Sequence, residues 1–283
     1  MKKSLSPIIQ AEELLKLYKT SNLILVDASS GENAQTNYEQ KHLDGAIYVD
    51  LNTHLAEIED DFSQGGRHPL PSVERFLETV ANLGISPEDH VVIYDDKNGS
   101  NAAARFWWML TSIGMEKVQV LNGGLTDAER IGFPTSSDPV FIETETSFDA
   151  KNWKLPLSSI SEVEQASQNS THVIIDVRSP ERFNGESEPI DLVAGHIPNA
   201  INIPFTQNLD EKGYFLSPTA LQKKYHSIFE QKNSSDVIVH CGSGVTACHT
   251  LLAISYAGFD IPKLYVGSWS EWSRNEKPIA KNI

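Results

Sequence analysis

Cys241 closes a short apolar run and opens a glycine-rich one: Val237-Ile238-Val239-His240-Cys241-Gly242-Ser243-Gly244-Val245-Thr246-Ala247-Cys248. The β-branched residues Val237 to Val239 read as a buried strand. Ala247 to Ala257, stopped by Gly258, reads as a helix. Strand, tight loop and helix put Cys241 at the carboxyl end of a strand and in front of a helix N-terminus. The backbone N–H groups of residues 242 to 247 and the positive end of the helix favour negative charge there. The thiolate is the reactive form of cysteine. Glycines at 242 and 244 let the backbone curl closely around an anion. A core cysteine is the bland alternative, but it would need no such loop. A cysteine-dependent phosphatase would want an arginine six residues on, gripping phosphate with two N–H groups; Ala247 stands there. What remains is a thiolate in a cup of amides, suited to holding and passing on a sulfur atom.

The elements that position this loop occur twice. In the first half Leu23 to Asp27, Val91 to Asp95 and Lys117 to Leu121 read as strands, and Ile8 to Lys19, Ser72 to Leu83 and Ala102 to Thr111 as helices. In the second half Val173 to Asp176 and Val237 to Cys241 are strands, and Ser158 to Ser167 and Pro218 to Phe229 are helices. His42-Leu43-Asp44-Gly45-Ala46-Ile47 matches Gly195-His196-Ile197-Pro198-Asn199-Ala200-Ile201, and Asn122-Gly123-Gly124 matches Val266-Gly267-Ser268. The intervals agree, 27 to 95 against 176 to 241. This is a tandem duplication of one α/β unit. Strands alternating with helices predict mostly parallel sheets with helices on both faces. Thr135 to Leu157, polar with scattered acids and prolines, reads as a partly extended linker. Asp95 takes the position of Cys241. A carboxylate cannot accept sulfane sulfur, so the first repeat has no nucleophile, and its expected task is to wall the site.

The chain has 283 residues, 40% of them hydrophobic, and a net charge of −15. That length allows two ordinary domains. Such acidity disfavours nucleic acid and anionic membrane surfaces as partners. No apolar stretch approaches the roughly 18 residues of a membrane span. Met1 to Pro7 lacks the apolar segment of a signal peptide. Two cysteines make no disulfide framework, so a reducing, cytoplasmic setting is expected. The histidines show no metal-ligand spacing, and no dinucleotide or phosphate-loop fingerprint occurs, so neither metal nor cofactor is expected.

Cys241-Gly242-Ser243-Gly244-Val245-Thr246-Ala247 resembles the active-site loop of the 3-mercaptopyruvate sulfurtransferases, within the two-domain rhodanese superfamily. The likeness runs over nearly the whole chain. The thiosulfate-using rhodaneses usually carry Arg-Lys after the cysteine instead of Gly-Ser. The resemblance implies tandem rhodanese-like domains: residues 1–137 without a catalytic cysteine, a linker at 138–157, and a catalytic domain at 158–283. It implies a sulfurtransferase that takes sulfur from a small donor, 3-mercaptopyruvate favoured over thiosulfate, onto Cys241 as a persulfide. The acceptor would be a thiol, cyanide or a thioredoxin-like reductant. The alternative is a persulfide carrier or a protein-docking module. Arg182 matches the family's substrate arginine, in Arg182-Phe183-Asn184-Gly185. Gly242, Ser243, Gly244, Val245 and Thr246 match the loop that holds substrate and sulfur. Arg178 matches an arginine tied to Asp176. His68, in Gly65-Gly66-Arg67-His68-Pro69, looks like the histidine that the family groups with Ser243 and an aspartate. The aspartate's place falls on Asn52, beside Asp50. For His68 an exposed loop position is an equal alternative. The chain departs from the pattern after Glu188-Pro189, where a second substrate arginine is usual and Ile190-Asp191 stand instead. Arg67, Arg105 or a lysine would have to compensate. Cys248 reads as core or, less simply, as a resolving thiol. Trp269 and Trp272 read as core or as a cover for the site.

Overall fold

The computed structural model describes residues 5–20, 22–142 and 148–282. Part of the expected linker, 143–147, and the start of the chain, 1–4, therefore lie outside the described residues. The chain divides into two compact units: Met1–Leu55 with Pro71–Lys154, and Ala56–Leu70 with Leu155–Ile283. The units depart from the boundaries read from the sequence in two stretches. Residues 56–70 pack with the second repeat, and Lys151 to Lys154 pack with the first. Trp153 accounts for the latter: its ring lies 5.2 Å from Phe76 and 5.9 Å from Trp108.

Each unit is an α/β fold built on a parallel sheet. In the first the spatial order is Ile8–Ile9, Val118–Leu121, His90–Tyr94, Leu23–Asp27, Ala46–Tyr48, all parallel. In the second it is Lys263–Leu264, Val237–His240, Val173–Asp176, Ile201–Asn202, again all parallel. A parallel bridge from Leu157 to Leu264 stands where the first unit has its Ile8–Ile9 edge strand. Val91, Val92 and Ile93, like Val237, Ile238 and Val239, are almost wholly buried. Continuous apolar runs of this kind belong to strands covered on both faces.

Helices lie between the strands. Val73–Asn82 starts at Ser72, whose side chain accepts from the Arg75 N–H, and Pro218–Phe229 starts likewise at Ser217. These caps satisfy N–H groups that the helix itself leaves unpaired. The Ile8 to Lys19 stretch, expected as one helix, is a short strand followed by a helix over Ala11–Leu17. Both isoleucines are 2% exposed and pair with Val120 and Leu121. Gln10 and Glu13 then form a capping box that begins the helix after them. Edge pairing and a local cap outcompete the helical reading of the apolar spacing. Among the described residues no helix is long and apolar enough to cross a membrane.

Candidate active site

Cys241 follows the strand Val237–His240 and is 3% exposed. Its loop is laid against the helix Ser268–Trp272. The Cys241 N–H donates to Ser268 Oγ at 3.1 Å, and its carbonyl accepts from the Trp269 N–H at 3.0 Å. The Gly242 carbonyl accepts from the Ser270 N–H at 2.9 Å. Gly244 has φ +74°, and a Cβ there would lie 2.9 Å from Val266 Cα and run into its carbonyl oxygen. Left-handed backbone and close approach together demand glycine. The helix Thr246–Tyr256 starts directly after Val245, which is buried, so the loop ends at a helix N-terminus of eleven residues.

The first repeat shows what such a loop does to an anion. Asp95 follows the strand His90–Tyr94 and precedes the helix Ala102–Ile113. Its carboxylate accepts from the N–H groups of Lys97, Gly99, Asn101 and Ala103, at 2.9, 2.8, 3.2 and 3.2 Å. Burial holds this carboxyl above its ordinary range, and the four N–H groups offset only part of that. Cys241 stands at the same place in the second repeat.

Ser243 Oγ lies 2.8 Å from His68 Nδ1. His68 reaches the loop because residues 56–70 are fastened to the Ser268–Trp272 region. The Gly65 N–H donates to Glu271, the Arg67 N–H to Ser270 Oγ, and Asn275 to the Ser63 carbonyl. Gly66 (φ +78°) has no room for a side chain beside Ser270 and the Gly267 carbonyl. Asp50 caps the short helix Leu51–His54 by accepting from Asn52 and Thr53, and Asn52 is the second residue of that helix.

Four arginines and three carboxylates form one network. Arg178 and Asp176 are paired at 2.6 Å, both essentially buried, as the sequence leads one to expect. Burial alone would raise the Asp176 carboxyl, but Arg178 and His240 outweigh it and hold the carboxyl below its usual range. His240, fully buried beside Asp176, is held below the usual histidine range by burial. Arg178 also meets Glu188 at 3.2 Å and stacks over the Trp269 ring at 4.6 Å. Arg182, on the helix Pro180–Asn184, grips Glu188 with Nε and Nη2 at 3.0 and 2.7 Å, and reaches Asp191 at 3.3 Å. Asp191 accepts from Arg67 as well, and from Arg274 at 3.0 Å.

These bonds use Nη1 of Arg67 and Nε and Nη2 of Arg182. Both guanidinium groups lie over the residue beside Cys241. A methyl group at Gly242 would be 3.1 Å from Arg67 Nη2, and 3.4 and 3.6 Å from Arg182 Nη2 and Nη1. Thus His68, Arg182, Gly242, Ser243, Gly244 and Cys241 are brought together in one unit, with Val245 and Thr246 as loop end and helix start. Arg67 stands beside Arg182, both paired with Asp191. Arg105 is instead buried in the first unit and donates to the Leu55 carbonyl at 3.4 Å. Glu188, Asp191 and Arg274 were not singled out from the sequence. Neither Asp191 nor Arg274 carries a local sequence signal that marks it. Cys248 is fully buried, its thiol 3.4 Å from the Gly244 carbonyl. Trp269 and Trp272 are core residues whose ring N–H groups donate to the Val193 and Pro278 carbonyls.

Comparison with known proteins adds an independent finding. The rhodanese-like domain model matches twice, over residues 10–130 and 159–275. The human 3-mercaptopyruvate sulfurtransferase is 33% identical over 270 residues, covering 90% of this chain and 86% of that one. The thiosulfate sulfurtransferase of Rattus norvegicus is 35% identical over 268 residues, covering 91% and 87%. Among solved structures, SseA from Escherichia coli, described with the fold and mechanism of 3-mercaptopyruvate sulfotransferases, superposes with a TM-score of 0.77. It is 30% identical, covering 94% of this chain and all of that one.

Proposed function

Because the chain belongs to the rhodanese-like domain family, as two copies of that domain, we propose that it works as a sulfurtransferase through a Cys241 persulfide, with 3-mercaptopyruvate as its preferred donor. The sulfurtransferase activity itself, of the 3-mercaptopyruvate/thiosulfate type, follows from relatives that match nearly end to end. Donor, route and residue roles are our reading of the site. One observation carries it: two guanidinium groups lie over Gly242, next to the buried thiol of Cys241.

The donor's carboxylate binds between Arg67 and Arg182 by charge-assisted hydrogen bonds. The Cys241 thiolate attacks the donor's thiol sulfur. A sulfur–sulfur bond forms and the donor's carbon–sulfur bond breaks, its electron pair passing to carbon. The leaving group is the enolate of pyruvate, which takes up one proton to become pyruvate. Ser243, hydrogen-bonded to His68, donates to the donor's carbonyl oxygen, where the enolate charge develops. Gly242 to Thr246 hold the persulfide as the first repeat's loop holds the Asp95 carboxylate. An acceptor thiolate then attacks the outer sulfur and leaves with it, regenerating the Cys241 thiolate in a ping-pong cycle. With cyanide the product is thiocyanate. With thiosulfate as donor the leaving group is sulfite.

Pyruvate release from 3-mercaptopyruvate and sulfite release from thiosulfate test this reading. Cys241→Ser should abolish both without altering the melting temperature appreciably. Turnover retained in Cys241→Ser would refute the route, and a higher kcat/KM for thiosulfate would refute the donor preference.

A further inference from the structure

We propose that Asp191 sets the net charge of the arginine fork and thereby selects monoanionic over dianionic sulfur donors. This rests on the reading above, in which the donor's anionic end meets Arg67 and Arg182.

The Asp191 side chain is completely buried and sits where three arginines converge: Arg67, Arg182 and Arg274. Glu188 is shared by Arg182 and Arg178, and Asp176 holds Arg178. Four guanidinium charges thus face three carboxylates, leaving one positive charge uncompensated. The guanidinium edges of Arg67 and Arg182 that face Gly242 are where it is expressed. With the Cys241 thiolate alongside, a monoanionic donor such as 3-mercaptopyruvate adds one negative charge beyond balance. Thiosulfate, a dianion, would add two in a largely buried place, which is costlier. Asp191 therefore does two things. It holds Arg67 in position, and it cancels one charge that a dianion would need.

Asp191→Asn keeps the shape and removes the charge. It should raise the ratio of kcat/KM for thiosulfate to that for 3-mercaptopyruvate by roughly tenfold, the scale of one added charge at close range in a partly screened site. Asp191→Glu keeps the charge and should leave the ratio within about twofold of wild type, even if both rates fall with altered geometry. A ratio unchanged in Asp191→Asn, or shifted equally in both variants, would overturn the assignment and leave Asp191 a mere brace for the arginines.

A second readout needs neither turnover nor a stable variant. Unreactive anions should slow alkylation of Cys241 by iodoacetamide in the wild-type protein, pyruvate (monoanion) at lower concentration than sulfate (dianion). Sulfate protecting as well as or better than pyruvate would overturn the assignment. Failure of both donors to load wild-type Cys241 would instead count against the sulfurtransferase route, while the protection order still decides the role of Asp191.

Discussion

Ser243 and His68 show how much a single contact can decide. A serine in a glycine-rich loop is unremarkable until its hydroxyl lies 2.8 Å from an imidazole nitrogen contributed by residues 56–70. If the pair stabilises developing enolate charge, its effect belongs to the chemical step and not to donor binding. Ser243→Ala should lower kcat with 3-mercaptopyruvate by about 10²-fold while changing KM little. Thiosulfate, whose sulfite leaving group carries no enolate, should be affected much less. Steady-state kinetics with both donors checks this; an equal loss for both would mean that Ser243 only shapes the loop. The residues of this site differed in legibility. Cys241, Ser243, Gly244 and Arg182 stand in short motifs whose spacing already implies a strand end, a tight loop and a helix. The convergence of Arg67, Arg182 and Arg274 on Asp191 is hidden, because it joins three stretches distant in sequence. No local pattern encodes that meeting; only folding produces it.

The deciding element is the strand–loop–helix, used once with a thiol and once with a carboxylate. Its shape depends on backbone fit: Gly244 takes φ +74° against the Val266 backbone, and the loop carbonyls accept from Trp269 and Ser270. Gly244→Ala would force a Cβ into that contact and a side chain into left-handed backbone. It should destabilise the protein by about 1–3 kcal/mol and lose activity out of proportion to the fraction unfolded. Thermal melts and kcat of the folded fraction would show this, whereas normal stability and kcat would mean that the loop is not shape-limited. Elements with one dominant signal were read correctly from the sequence. Val173–Asp176 and Pro218–Phe229 coincide with their expected limits because an unbroken β-branched run and a capped amphipathic run each admit one reading. Ile8–Ile9 departs from the helical expectation because an edge strand of two residues has no periodicity of its own, and its identity comes from Val120 and Leu121 across the sheet.

At the scale of the whole molecule, an acidic chain of net charge −15 concentrates four of its arginines around three carboxylates, two of the four lying over Gly242. This organisation has a stability signature. The Asp176 carboxyl, buried but held low by Arg178 and His240, is a group whose folded value lies below its unfolded value. Its contribution is fully present above the unfolded value of about 3.9 and is lost as pH falls through the folded value. The melting temperature should therefore drop on acidification below about pH 4. Asp176→Asn should flatten that drop and cost about 3–5 kcal/mol near neutrality, since it deprives buried Arg178 of a charged partner. Parallel melting profiles for the two proteins would contradict the assignment. The duplicated fold was legible from repeated motifs at matching intervals. The placement of residues 56–70 with the second unit was not, because it depends on contacts such as Gly65 with Glu271 and Arg67 with Asp191. The central claim, that sulfur passes through Cys241, is tested most directly by intact mass after incubation with 3-mercaptopyruvate and removal of excess donor. The account predicts a gain of one sulfur atom, reversed by an acceptor thiol and absent in Cys241→Ser. A wild-type protein that turns the donor over without that gain, or a Cys241→Ser protein that acquires it, would contradict the account.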